Sequence, residues 1–201
     1  EESVREMIQK RELFPCFFGS ALKMEGIEEL LFALSEYTKM PEYQEKFGAT
    51  VFKITRDAQG SRLTHLKVTG GVLKARNLLS GHKQNKAEDI WEEKINQIRI
   101  YSGEKYETKD EVEAGTICAV TGLSYTYPGE GLGSQEESEL PILEPVLTYE
   151  LILPDGVQPQ AMMPKLAMLE EEEPELHIVW NEELQEIKIQ IMGEVQIEIL
   201  K

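Results

Sequence analysis

A turn near the start of the chain has the features of a ligand-binding loop. An apolar run at residues 14–18 ends at Gly19-Ser20-Ala21, and an amphipathic pattern typical of a helix follows from Ile27. A short strand that leads through such a turn into a helix presents backbone N–H groups at the carboxyl edge of an α/β sheet, where these folds bind ligands. Gly-Ser-Ala is also a common turn, so the residues alone leave both interpretations open.

Three further groups of residues could carry chemistry. Glu111 and Glu113 are spaced to share one face of a strand, as a carbohydrate-cleaving enzyme with a carboxylate pair would require. The acidic run at residues 170–173 could bind a cation, but we favour a solvated helix end before Pro174. The three histidines lack the spacing of metal ligands, so we expect no metal site; they are His65, His82 and His177.

Composition limits the possible partners. The chain has 201 residues, 41% of them hydrophobic, and a formal net charge of −16. This composition indicates a globular protein that repels polyanions, so any contact with RNA must be local. Lys67, Lys74 and Arg76 flank the Gly70-Gly71 turn and are the candidate RNA contacts, with ordinary surface cations as the alternative.

Cysteine usage and hydropathy bear on the environment of the protein. Cys16 and Cys118 lie far apart in apolar company, so we expect two buried, reduced thiols. No apolar run approaches the roughly 20 residues of a membrane span, and no signal peptide opens the chain. These features predict a cytoplasmic protein without a membrane partner, and we expect a monomer.

The elements that must position these residues fall into three regions. Residues 1–40 have the pattern of helix, strand and helix, the closing unit of an α/β domain. Residues 49–120 contain short strand-like segments separated by glycine turns, a pattern typical of a small antiparallel barrel. We expect the core of this barrel to include Val51, Phe52, Leu66, Val68, Ile117 and Ala119.

The third region, from residue 145 onward, has the order strand, helix, strand, strand, which suits a split α+β sandwich. Pro164 fits the expected helix only if that helix begins near Met162, which would place the proline in its first turn. Residues 195–200 alternate apolar and polar residues, which predicts a strand.

Taken together, the motifs resemble those of translational GTPases of the elongation factor G superfamily. The Gly19-Ser20-Ala21 turn with its helix resembles the family's last nucleotide-binding motif. Residues 52–75 and 114–123 resemble its second domain in order and spacing, and Glu144-Pro145-Val146 resembles the start of its third domain. Residues 166–172 and 192–200 resemble that domain's first helix and the opening of its second helix, which conflicts with the strand pattern at residues 195–200.

The resemblance implies a fold class and a domain order. The fold would be mainly β with α+β, and the chain would be an internal segment of a longer protein. Residues 1–40 would be the C-terminal end of a GTP-binding α/β domain, and residues 47–140 the antiparallel β-barrel second domain of translation factors. Residues 144–201 would be part of a ferredoxin-like third domain.

The resemblance also implies a nucleotide and a partner. The backbone N–H of Ala21 would meet the guanine O6 of GTP, with Ser20 and Leu22 shaping the pocket, and the longer protein would bind Mg²⁺ with the nucleotide. Its partner would be the ribosome, through small-subunit ribosomal RNA. The chain contains no GxxxxGK(S/T) loop, so we expect this segment alone to be unable to hydrolyse GTP.

Two details favour one branch of the superfamily, the tetracycline-resistance ribosomal protection proteins. Phe14-Pro15 resembles their strand before the guanine turn, and Gln196 stands where elongation factor G usually has His. The expected function is therefore GTP-dependent release of tetracycline from the ribosome. A translocation factor of the elongation factor G type is the alternative, and an acidic barrel that acts on carbohydrate is a remote one.

Overall fold

The computed structural model describes residues 2–39, 41–83, 86–138, 145–154 and 156–200. Its contacts divide the chain into two units, Glu1–Glu42 and Tyr43–Lys201. The first unit contains helices α1 (Glu2–Gln9) and α2 (Ile27–Tyr37). Two glutamates in the first turn of α2 suit the positive end of the helix dipole. Both predicted helices of this region are confirmed.

The strand predicted at residues 14–18 is wrong. The segment has no regular secondary structure, and the side chains of Phe14 and Phe18 are 75% and 94% exposed. A strand needs a neighbour that pairs with its N–H and C=O groups. The described residues of the first unit provide no such neighbour.

The second unit begins with ten short strands. They are β1 (Gly48–Arg56), β2 (Arg62–Gly70), β3 (Val72–Lys74), β4 (Leu78–Lys83), β5 (Lys86–Lys94), β6 (Gln97–Ser102), β7 (Lys105–Lys109), β8 (Glu111–Glu113), β9 (Ile117–Thr121) and β10 (Gly131–Gly133). Six of them form a sheet in the order β10-β1-β2-β9-β6-β7, while β3 pairs with β8 and β4 with β5. All these pairings are antiparallel. The predicted mainly β, antiparallel class is confirmed.

Glycine allows the tight turns between these strands. Gly60, Gly71, Gly103 and Gly115 have φ values of 78°, 56°, 63° and 93°. This left-handed region costs glycine little because it has no Cβ. The glycine turns expected from the sequence are therefore present.

Four of the six predicted core residues are buried. Val51, Leu66 and Val68 lie in the central cluster of the barrel, whereas Ala119, 1% exposed, lies on the opposite face of its strand from Cys118 and Val120. Phe52 and Ile117 are 48% and 60% exposed.

Local strand register explains why Phe52 and Ile117 face outward. The pairing of β1 with β2 shifts between Val51 and Lys53, so Val51 and Ile54 face inward and Phe52 faces outward. In β9, Cys118 and Val120 join the core, which turns Ile117 to the opposite face.

The rest of the second unit mixes helices with a three-stranded sheet. Its elements are β11 (Leu147–Glu150), α3 (Pro159–Glu172), a 3-10 turn (Pro174–Leu176), β12 (Val179–Asn181), β13 (Glu186–Ile191) and α4 (Glu194–Leu200). The sheet order is β11-β13-β12, and both pairings are antiparallel.

The helix expected in this region is confirmed, but it begins at Pro159, so Pro164 lies inside the helix and not in its first turn. One expectation for this region is wrong. Residues 195–200 form most of helix α4. The family resemblance implies this helix, whereas the alternating apolar and polar pattern predicts a strand. The Gln196 side chain accepts the Met192 N–H at 2.9 Å, which ties the start of α4 to the end of the preceding strand.

Candidate functional site

The Gly-Ser-Ala turn is a closed loop in front of α2. Ser20 and Glu25 form an antiparallel bridge, in which the Ser20 N–H donates to Glu25 O at 3.0 Å and the Glu25 N–H donates to Ser20 O at 3.1 Å. Residues 21–24 form the tip of this loop, and the Lys23 N–H also donates to Ser20 O at 3.2 Å. The loop therefore has a fixed backbone without a flanking strand.

Two glycines allow the base of the loop to close. A Cβ on Gly19 would lie 2.5 Å from Glu25 O, and a Cβ on Gly26 would lie 2.5 Å from Phe18 O. Gly26 also has a φ of 73°, which a residue with a side chain rarely adopts. Both positions thus require glycine in this conformation, which brings the tip of the loop next to the start of α2.

The tip of the loop is open to solvent. Leu22 is 96% exposed and Ala21 is exposed, while Ser20 is half-buried. The N–H groups of Ala21 and Leu22 meet no backbone acceptor among the described residues. These two backbone N–H groups can therefore donate hydrogen bonds to a carbonyl group of a planar ligand. That Ser20, Ala21 and Leu22 contact guanine stays a prediction.

The three candidate RNA contacts lie on or beside two different strands. Lys67 lies on β2, is exposed and makes no ion pair with any described residue. Lys74 lies on β3 and pairs with Glu111 at 3.1 Å, so its charge is partly neutralised. Arg76 follows β3 and is exposed. The role of these residues in RNA binding stays a prediction.

The carboxylate pair considered for a carbohydrate enzyme lies on an exposed strand. Glu111 and Glu113 are both exposed on the three-residue strand β8, and Glu111 forms an ion pair with Lys74. A cleft of about 1150 Å³ lies between the barrel and the end of α3, and neither Glu111 nor Glu113 lines it.

The interpretation of residues 170–173 as a solvated helix end is wrong. Glu171 accepts bonds from Arg56 at 2.8 Å and from Arg62 at 3.3 Å, and Glu172 accepts one from Arg56 at 3.2 Å. Glu170 accepts the Ile178 N–H at 2.8 Å. The acidic end of α3 therefore binds the barrel. No local pattern shows this, because Arg56 and Arg62 lie more than a hundred residues earlier.

A buried carboxylate was not identified from the sequence. Glu130 is 2% exposed, and its Oε1 accepts the indole N–H of Trp91 at 3.0 Å. The Tyr127 N–H donates to its other oxygen at 3.3 Å. Burial disfavours the charged form and raises the pKa of Glu130 to about 7. Only the tertiary fold, which places Trp91 beside residue 130, makes this glutamate unusual.

The two thiols differ, which corrects one prediction. Cys118 is buried, but Cys16 is exposed, and both are free. Burial raises the pKa of the Cys118 thiol to about 12, so it is inert at neutral pH. The described residues contain no group of three or more His, Cys, Asp or Glu side chains that could hold a metal ion. Among them there is also no helix long and apolar enough to cross a membrane.

Similarity to known proteins extends over the whole chain. The elongation factor G of Amoebophilus asiaticus is 27% identical over 98% of this chain. The elongation factors G of Ureaplasma parvum and Ureaplasma urealyticum are each 28% identical over 100% of it. These similarities support a place among the translational GTPases. The chain spans about a third of the length of these relatives, 31% to 32%.

A solved structure supports the fold. A crystal structure of a protein from Thermus thermophilus matches 88% of this chain with a TM-score of 0.67 and 22% identity, and the match covers 27% of that protein. At this identity the likeness concerns the fold alone. No family model matches the chain.

Proposed function

We propose that the chain is a segment of a ribosome-associated GTPase of the elongation factor G type, which drives translocation. The observation that carries the proposal is similarity to proteins named elongation factor G over 98% to 100% of the chain. The mainly β fold and the closed Gly19-Ser20-Ala21 loop agree with it. Such a protein acts in the cytoplasm, and we expect it to be a monomer.

The role proposed for the first unit is to contact the guanine base. Ala21 would donate its N–H to the guanine O6, with Ser20 and Leu22 shaping the pocket. The phosphates and Mg²⁺ of GTP would be held by parts of the longer protein, because this chain has no GxxxxGK(S/T) loop. The partner would be small-subunit ribosomal RNA, with Lys67, Lys74 and Arg76 as candidate contacts.

Ribosomal protection against tetracycline is the narrower possibility. It rests on Phe14-Pro15 and Gln196, two small features. The relatives named elongation factor G support translocation better.

The full-length gene product provides the test. We expect it to hydrolyse GTP in the presence of ribosomes and to move messenger RNA by one codon in a toeprinting assay. Protection of translation from tetracycline without translocation would instead favour the ribosomal protection function. Absence of both activities, in a protein that binds GTP, would contradict the proposal.

The guanine contact has its own test in the same protein. Ala21→Pro deletes the N–H that is proposed to meet O6, whereas Ala21→Ser keeps it. We expect only the proline variant to lose affinity for GDP, by about 10-fold or more for one lost bond. Equal affinities of the two variants would rule out this contact. The 201-residue chain alone should show no micromolar GDP binding by calorimetry.

A further inference from the structure

The loop that carries the two free N–H groups contains a residue in an unfavourable backbone conformation. Met24, the last residue of the loop tip, has a φ of 59°, in the left-handed region. In that region the Cβ of an ordinary residue lies too close to the following carbonyl oxygen. Glycine avoids this cost and asparagine offsets it with local hydrogen bonds, but methionine does neither. The Met24 side chain is 72% exposed, so packing compensates little of the strain.

The hydrogen bonds of the loop explain why this position has a positive φ. The Glu25 N–H donates to Ser20 O at 3.1 Å. Inside this bond, the Met24 N–H donates to Ala21 O at 3.3 Å. Such a nested pair is typical of helix ends, where the residue before the outer donor is left-handed and is usually glycine, sometimes asparagine. Met24 occupies that position, so the loop closes only while Met24 keeps its strained conformation.

Closure of the loop fixes the direction of the donors at its tip. The N–H groups of Ala21 and Leu22 lie inside the closed loop and meet no backbone acceptor among the described residues. If Met24 relaxed to a negative φ, the Glu25 N–H would turn away from Ser20 and the bridge would open. The donors would then lose their fixed direction. Strain at Met24 therefore favours the open loop, whereas the bonds of the bridge favour the closed one.

We propose that Met24 is a positioning residue for guanine recognition, which acts by closing the loop that presents the Ala21 N–H. Its strain keeps the affinity for guanine nucleotides below the affinity that the same loop would have with Asn or Gly at this position. A ligand that binds only the closed loop has an apparent affinity in proportion to the closed fraction. Strain that lowers this fraction weakens binding and speeds release of the nucleotide. The guanine nucleotide comes from the proposed function, on which this inference rests.

Binding and release of a fluorescent GDP by the full-length protein, measured by stopped flow, provide the test. Met24→Asn and Met24→Gly remove the strain, so each should bind GDP about 2- to 10-fold more tightly and release it more slowly. Met24→Ala shortens the side chain but keeps the strained backbone, so its affinity should stay within about twofold of that of the unchanged protein. Met24→Val should bind about 3-fold more weakly, because a β-branched residue rarely adopts a positive φ. The opposite order of affinities, or equal affinities throughout, would overturn the inference.

Arg11 provides a matched control outside the loop. It also has a φ of 59° and lies at the end of α1, where the Glu12 N–H donates to Met7 O at 2.8 Å in the same nested pattern. Arg11→Asn removes the same kind of strain and should leave the affinity for GDP within about twofold. A gain equal to that of Met24→Asn would show that general stabilisation is responsible, and would overturn the positioning role.

A nucleotide without O6 separates positioning from a general effect on the fold. The diphosphate of 2-aminopurine riboside keeps the purine ring and the phosphates but lacks O6, so the Ala21 N–H has no acceptor on it. The gain in affinity of Met24→Asn should therefore disappear with this nucleotide. Equal gains with GDP and with the analogue would overturn the inference, because Met24 would then not act through the O6 contact.

Hydrogen exchange of the 201-residue chain, followed by NMR, measures loop closure without a nucleotide. In Met24→Asn, the Glu25 N–H should exchange about 2- to 10-fold more slowly than in the unchanged chain. Unchanged exchange, or slower exchange without tighter binding of GDP, would overturn the inference. In both cases ribosome-dependent GTP hydrolysis by the full-length protein would leave the proposed function standing. A full-length protein that binds no GDP and hydrolyses no GTP would overturn both.

Discussion

Two arginines that join the barrel to α3 should differ in what they stabilise. Among the described residues, the Arg56 side chain bonds to α3 alone, through Glu171, Glu172 and the Met168 carbonyl at 3.2 Å. Arg62, which pairs with Arg56 in the register, bonds to Glu171 but also to groups within the barrel. Replacing Arg56 by alanine should therefore release α3 and leave the barrel intact, whereas replacing Arg62 should loosen both.

The exposure of the Arg56 and Glu171 side chains determines how much stability Arg56→Ala should remove. The Arg56 side chain is 16% exposed and that of Glu171 is 41% exposed, so this ion pair is partly screened by water. Pairs of this kind contribute about 0.2–1 kcal/mol each, and Arg56→Ala removes two of them and one bond to a carbonyl. We expect a cost of about 1–2 kcal/mol, confined to α3.

Arg62→Ala should cost more, for a different reason. Its Nη1 donates to Leu123 O at 3.0 Å and to the Thr126 hydroxyl at 2.9 Å, and its Nη2 donates to Thr126 O. Thr126 is 2% exposed, so its carbonyl would lose the Arg62 donor away from water, while its hydroxyl would keep the Thr64 hydroxyl as a partner at 2.7 Å. At about 1 kcal/mol for each lost bond, we expect a cost of about 2–4 kcal/mol, shared by the barrel.

Hydrogen exchange measured by mass spectrometry separates the two effects. In Arg56→Ala, amides of α3 should exchange about 5- to 30-fold faster while those of β1 and β2 stay unchanged. Glu171→Gln should give a smaller effect of the same kind, and about 1 M salt should shrink the difference from the unchanged chain. Arg76→Ala, at an exposed arginine with no ion pair among the described residues, is the control. Equal acceleration in α3 and the barrel strands of Arg56→Ala, or none in either, would refute this reasoning.

Three further predictions concern single sites. Folding raises the pKa of Glu130 from 4.5 to about 7, so the folded state binds more protons than the unfolded state between these pH values. The free energy of unfolding should therefore fall as pH rises through this window. Urea unfolding should show a loss of stability of about 3 kcal/mol across this window. The loss should be absent from the Glu130→Gln variant, and the same pH slope in that variant would contradict the prediction. Ellman's reagent should modify one thiol, that of Cys16, in the native chain and both in denaturant, since burial raises the pKa of Cys118 to about 12; rapid reaction of two native thiols would refute this. Gly81→Ala should destabilise the barrel by about 1–3 kcal/mol in urea unfolding, because its Cβ would meet Glu130 and Trp91, and an unchanged midpoint would show that both side chains can move aside.

The sequence by itself determined the features that depend on local interactions. Helix α2 follows from the spacing of its apolar residues, and the positions of the barrel strands follow from glycine turns such as Gly60 and Gly71. Such turns are encoded locally because only glycine adopts positive φ without strain. The order of the motifs also led to the translational GTPases, which the relatives support.

Tertiary structure decided which face each residue presents and which distant groups meet. Phe52 faces solvent because the pairing of β1 with β2 shifts beside it, and periodicity alone cannot locate such a shift. The glutamates at the end of α3 bind Arg56 and Arg62 because the chain folds α3 back onto the barrel. Glu130 has its raised pKa because burial beside Trp91 removes water from it. Each of these properties depends on contacts between different strands and helices, so no pattern of residue types within one element could specify it.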